Sequence, residues 1–209
     1  MAKRPVEAQF RREADYTSSK YHKHRVQQPM LLSAEQSALL TVDIQARLAP
    51  AVADAEAIVG RARVLLAAAA VLHVPVIVSE QYPQGLGHTD ERLLPLPDGA
   101  RVFAKTAFAA ARDPAILAHL QALARPQLVL LGMEAHVCVL QTALALRELG
   151  LAVAVAADAV GSRRPERRQL GLERMRANGV EIVDSEMVVF EWLGGAGTPV
   201  FRELSRLIR

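Results

Sequence analysis

The sequence predicts an α/β protein: a three-layer α-β-α, Rossmann-like domain around a largely parallel six-stranded sheet. Two observations carry this. From Ser37 onward, short apolar runs alternate with longer helical patterns, which is how βαβ units read in sequence. The chain is 51% hydrophobic yet only 4% aromatic. Ala, Val and Leu dominate, which suits parallel strands covered on both faces by small-residue helices.

The elements follow in order. Ala38–Val42 (ALLTV) reads as a buried strand ending at Asp43. Residues 54–72 read as a long helix with Ile58, Leu65, Leu66 and Ala69 on its apolar face. Residues 74–79 (VPVIVS) form a second strand, with Pro75 tolerable near its start. A Gly- and Pro-rich loop over 80–99 contains EQYPQGLG; irregular segments of this length in a compact domain are usually functional. A short strand over 101–104 ends at Lys105. Residues 114–124 form a helix, and 127–131 a strand closed by Gly132. A helix over 136–149 stops at Gly150, and LAVAVA over 151–156 is another buried strand. The helix over 165–177 has Asn178-Gly179 as its stop. A last short strand over 181–183 and a closing helix over 199–208 complete the pattern. The expected organisation is a basic N-terminal extension over 1–30 followed by one domain over 31–209.

Charge separates the same two regions. Residues 1–28 hold seven Lys or Arg against Glu7, Glu13 and Asp15, a net of +4 out of a total of +3. The body is therefore close to neutral, and nucleic acid is not its expected partner. One cysteine excludes an internal disulfide framework and fits a reducing compartment. The most apolar run, 64–78, is too short to span a bilayer and is broken by His73 and Pro75. No secretory apolar core stands near the start. The expectation is a cytoplasmic protein.

Ligands of an open parallel sheet bind beyond the carboxyl ends of its strands. Asp43, Lys105 and Cys138 sit at or just after such ends. Each alone has an ordinary explanation: a turn former, a solvated lysine, a small core residue. Together they suggest chemistry. A cysteine at a helix start meets unpaired N–H groups, and a nearby ammonium favours its thiolate further. Asp43 is a candidate to accept the thiol proton and return it to a leaving amine. The amides of Gly132–Cys138 are candidates for an oxyanion hole.

The segments LLTVDIQ, FAKTAF and LLGMEAHVCVLQTALALRELG carry a resemblance to the isochorismatase-like cysteine hydrolases, over roughly residues 37–209. EQYPQGLG and ERMRANG resemble the subgroup called isochorismatase domain-containing proteins. The resemblance implies the isochorismatase-like hydrolase fold and a triad of Asp43, Lys105 and Cys138, with Lys105 lowering the thiol pKa. It also implies an oxyanion hole from the N–H groups of Glu134 and Cys138, a cis Met133–Glu134 bond, and a homo-oligomer. The implied activity is hydrolysis of a small amide or related acyl compound through a Cys138 thioester, an amidohydrolase type of reaction. Cys138 argues against isochorismate cleavage, whose enzymes resemble this chain in fold but lack that nucleophile. Nicotinamidases share the triad but carry an Asp-x-His metal motif; the matching stretch here, SEQYPQGLGHT, offers only His88. No metal or cofactor is expected.

Gln81, Tyr82, Phe108 and His136 are candidates to line a substrate pocket, with loop shaping, packing or helix capping as their plainer roles. Arg47 is a weaker candidate for an anionic group. Asp158 and Ser162-Arg163 read as a structural turn supporting an interface, and Arg163, Arg164, Arg167 and Arg168 as a solvated or subunit-facing surface. The alternative to a hydrolase is a non-catalytic or redox-responsive binding module of the same fold, limited to mixed disulfides or oxidation because no resolving cysteine exists. Nucleic-acid binding through the basic tail ranks third. A dinucleotide enzyme ranks last, because DIQARLAP contains no glycine.

Overall fold

The computed structural model describes residues 31–208. The basic extension over 1–30, and with it the nucleic-acid reading of the tail, lies outside the described residues. Six strands form one parallel sheet: β1 (Ser37–Val42), β2 (Val76–Gln81), β3 (Arg101–Lys105), β4 (Gln127–Met133), β5 (Ala152–Gly161) and β6 (Glu181–Val183), in the order β3-β2-β1-β4-β5-β6. The order reverses between β1 and β4, so the crevice beyond their carboxyl ends is where such a sheet binds ligands. Asp43 follows β1 directly and Cys138 lies just beyond β4.

Period-two alternation assigns the faces. Ala38, Leu40, Val42, Leu128, Leu130, Val153 and Val155 point into one core with helices α2 (Pro114–Leu123), α3 (Leu140–Glu148) and α4 (Pro165–Ala177). Helix α1 (Ala55–Val71) packs against β5 and against α5 (Ser185–Leu193) on the other face. Four of the seven residues in its buried stripe of Ile58, Val59, Ala62, Leu65, Leu66, Ala68 and Ala69 are alanine or valine, which lets the helix sit close to the sheet without aromatic filler. Each fully buried Leu or Ile contributes roughly 1.5–3 kcal/mol over leaving it in water.

Local signals fix the ends. Pro114 opens α2 behind Asp113, whose carboxylate accepts from the Ala115 and Ile116 N–H groups. The closing helix α6 (Pro199–Leu204) is shorter than expected and capped by Thr198. Helix α5 was not foreseen. Asp184 caps it at the Met187 N–H, and Gly194 ends it at φ 66°. Asp158 on β5 fastens its start, accepting from the Ser185 N–H at 2.8 Å and from its hydroxyl. The expected turn at Asp158 is thus a strand position, because β5 runs on to Gly161. The loop over 80–99 starts as strand, then holds a single helical turn, Pro83–Leu86, and a 3-10 turn, Glu91–Leu93.

Candidate active site

The end of β1 sets the first group. Asp43 takes a left-handed conformation, φ 55°, which Asp tolerates better than most residues. Its N–H donates to the Ser79 carbonyl at 3.1 Å. The Ser79 hydroxyl donates to Oδ1 at 2.7 Å and the Lys105 ammonium to Oδ2 at 2.7 Å. Both charged side chains are fully buried. A buried pair pays desolvation on both partners and persists only when the remaining donors are satisfied. Here they are: Lys105 Nζ also donates to Gln81 Oε1 at 2.7 Å and to the Phe108 carbonyl at 3.3 Å.

The end of β4 sets the second group. Gly132 adopts φ 142°, and a Cβ there would stand 2.0 Å from the Val42 carbonyl oxygen. Only glycine lets β4 close on β1 at this point. A register shift against β5 between Leu130 and Gly132 bends the strand just before the turn. Cys138 then sits within a π-helical turn, Ala135–Val139, rather than the first turn of a regular helix, a form that recurs at functional sites. The expected cis Met133–Glu134 bond is absent; the chain turns through Gly132 and through Glu134 at φ −30°, ψ 102°. Helix α4 presses on this turn, with a Cβ at Gly171 meeting the Ala135 oxygen and His136 Cα at 3.0 Å.

Cys138 is 6% exposed. Its thiol is pushed up from 9.0 to about 12, first by burial and then by the Asp43 carboxylate. Lys105 pulls in the expected downward direction but is outweighed. Its surroundings thus favour the protonated thiol, opposite in direction to the thiolate anticipated from the helix terminus and the ammonium. Both charges act on it, so the three residues converge.

Beside Cys138, Glu134 Oε1 accepts from Arg163 Nε at 2.6 Å, and Oε2 lies 3.1 Å from His136 Nδ1. His136 Nδ1 is also 3.0 Å from the Ser162 hydroxyl. His136 and Cys138 are two residues apart on a helical turn, a spacing that directs side chains to different sides. The pocket-lining expectations divide similarly. Gln81 faces inward, its Oε1 accepting from Lys105 Nζ and its Nε2 donating to the Thr106 carbonyl at 2.8 Å, so both ends of its amide are engaged within the protein. Tyr82 and Phe108 are 55% and 53% exposed, on the loops after β2 and β3. Both are tethered to Lys105: the Tyr82 N–H donates to its carbonyl at 2.9 Å, and the Phe108 carbonyl meets its ammonium. Arg47 is exposed and bonds the Gly85 carbonyl. Arg168 holds the Val160 and Ala157 carbonyls of β5. Ser79, Gln45, Arg163 and Gly171 shape the site without having been singled out for it. Ser79 ended an apolar run and Gln45 stood in a quoted motif, so both had a visible signal.

Glu80 points away from Gln81 and holds the other side of the loop. Burial alone would raise its carboxyl, but the Thr89 hydroxyl and N–H, with His88, hold it below its ordinary value. Two surface clefts, one beside Ala53, Asp158 and Arg168 and one beside His73, Pro75 and Gly99, include none of the three central residues. No helix among the described residues is long and apolar enough to cross a membrane.

Comparison with known proteins bears on the family and the fold. The family model for the isochorismatase domain matches residues 37–187. The isochorismatase domain-containing protein 1 of Salmo salar is 36% identical over 167 residues, 80% of this chain; the chain spans 59% of that relative's length. A Caenorhabditis elegans structure named MAR1 ribonuclease superposes with a TM-score of 0.81 at 37% identity, covering 86% of this chain and 92% of the other. The YcaC gene product of Escherichia coli, an octameric hydrolase of unknown specificity, superposes with a TM-score of 0.74 at 25% identity, covering 81% and 85%.

Proposed function

The chain belongs to the isochorismatase domain family, and from that premise we propose that it is a cysteine-dependent hydrolase of small amides or related acyl compounds. The observation that supports this best is the buried Asp43–Lys105 pair acting on the one cysteine at the sheet's switch point. A thiol at about 12 is not ionised before attack. Asp43 takes the proton as Cys138 Sγ bonds to the carbonyl carbon, and the Lys105 ammonium offsets the negative charge during the transfer. The N–H groups of Glu134 and Cys138 receive the developing oxyanion. Asp43 returns the proton to the departing amine as the C–N bond breaks, leaving a thioester. Water then attacks that thioester, Asp43 accepts its proton and passes it to the departing sulfur, and the acid is released. The amide and one water become an acid and an amine.

The octamer of the Escherichia coli relative supports a homo-oligomer here, and the lone cysteine supports a cytoplasmic setting. The ribonuclease name of the Caenorhabditis elegans neighbour stays with that protein; the near-neutral body gives it no support here.

The test is intact-mass detection of an acyl adduct across a panel of small amides and esters, with a short RNA as a further arm. An adduct on the wild type is expected. Cys138→Ala should lose the adduct and slow turnover by roughly 10⁴-fold or more; turnover at the wild-type rate in that variant refutes the reading. Alkylation of the lone thiol should still be rising above pH 9. Because its folded pKa lies above the ordinary 9.0, its stabilising contribution is whole below pH 9 and is lost as pH rises towards 12.

A further inference from the structure

An ammonium carries three hydrogens, and Lys105 spends all three inside the protein. The two short bonds go to Asp43 Oδ2 and Gln81 Oε1, each at 2.7 Å, and the longer one to the Phe108 carbonyl. Gln81 is itself held at every polar group. Its Nε2 donates to the Thr106 carbonyl, which fixes the direction of the amide. Its N–H donates to Gln45 Oε1 at 2.8 Å, and its carbonyl accepts from Gln45 Nε2 at 3.1 Å. Gln45 Nε2 also reaches the Gly87 carbonyl. A chain of contacts thus runs from the loop after β2 through Gln45 and Gln81 to the lysine and Asp43.

We propose that Gln81 is a positioning residue that fixes the Lys105 ammonium on Asp43, with Gln45 holding Gln81 in register. This rests on the hydrolase reading for its catalytic consequence, but its geometric content stands apart from it. The neutrality of the Gln81 side chain matters. A carboxylate in its place would grip the ammonium equally well but add a second negative charge near a thiol already opposed by Asp43 and Glu134, the two carboxylates acting on it. An amide carbonyl orients the cation and leaves the Asp43–Lys105 charge balance intact.

Because the chain has one cysteine, iodoacetamide alkylation reads Cys138 directly and needs no substrate. On the rising limb of its pH profile, Gln81→Met should slow alkylation roughly three- to tenfold, equivalent to a thiol raised by about half a unit to one unit. Gln81→Glu should slow it as well, through the added charge. With an amide substrate in hand, kcat should fall in both variants while KM holds. An unmoved alkylation limb overturns the proposal, as does a raised KM at constant kcat, which would make Gln81 a substrate contact. Should Gln81→Met not fold, Gln81→Glu alone decides: an unmoved limb refutes the assignment. A missing acyl adduct on the wild type would sink the hydrolase reading but leave this alkylation result standing.

Discussion

The two halves of the site are built by different means. On the β1–β2–β3 side, Asp43, Lys105, Ser79 and Gln81 form a buried polar cluster in which both carboxylate oxygens and every ammonium hydrogen have a partner. On the β4 side, the turn that carries Cys138 is shaped by close backbone packing at Gly132 and Gly171 and tied by an ion pair whose arginine is 58% exposed. One half is held by saturated hydrogen bonding, the other by shape. The charged cluster cannot shift without stranding a buried ion, whereas the turn tolerates no added side-chain atom at Gly132 and little at Gly171.

Substitutions can break this contrast. The largest effect belongs to Lys105→Met, which leaves the buried Asp43 carboxylate without its cation. Urea unfolding should show a loss of about 3–5 kcal/mol. The double variant Lys105→Met with Asp43→Leu should recover most of it, because an apolar pair strands no charge. If the double variant is as unstable as the single, the cluster is not what holds that side. Gly171→Ala comes next, with a loss of about 1–2 kcal/mol as α4 and the turn move apart, and a measurable change in Cys138 alkylation. Unchanged alkylation would show that α4 does not shape the turn. The smallest effect is Arg163→Gln, at about 1 kcal/mol or less and diminishing with added salt. A salt-insensitive loss as large as that of Lys105→Met would erase the distinction between the halves.

The sheet and most helices were legible because buried parallel strands announce themselves as short apolar runs. Residues 165–177 and 181–183 appear in the structure with the bounds read from sequence. What was missed has a common cause. The second strand was closed at Ser79, where hydrophobicity ends, yet it pairs with β3 through Gln81 and Lys105. Glu80 and Gln81 stay buried because Thr89, Gln45 and Lys105, far along the chain, satisfy them. Such partners have no local signature. Helix α5 escaped for the opposite reason: its Asp184 cap and Gly194 stop were visible, but Met187 and Phe190 interrupt the polar face with exposed apolar residues. The placement of Asp43, Lys105 and Cys138 at or just after strand ends followed from topology. The state of the thiol did not, since helix termini and neighbouring cations are visible in sequence and depth of burial is not.

That depth has a chemical consequence outside the hydrolytic cycle. Burial and the Asp43 carboxylate push the Cys138 thiol up, which lowers its thiolate fraction at neutral pH. Peroxide and glutathione disulfide both react through the thiolate, so a resting protein is a poor target for either. A buried sulfur held towards its thiol form beside Asp43 is shielded from the oxidants of its surroundings, in a chain with no second cysteine to protect it.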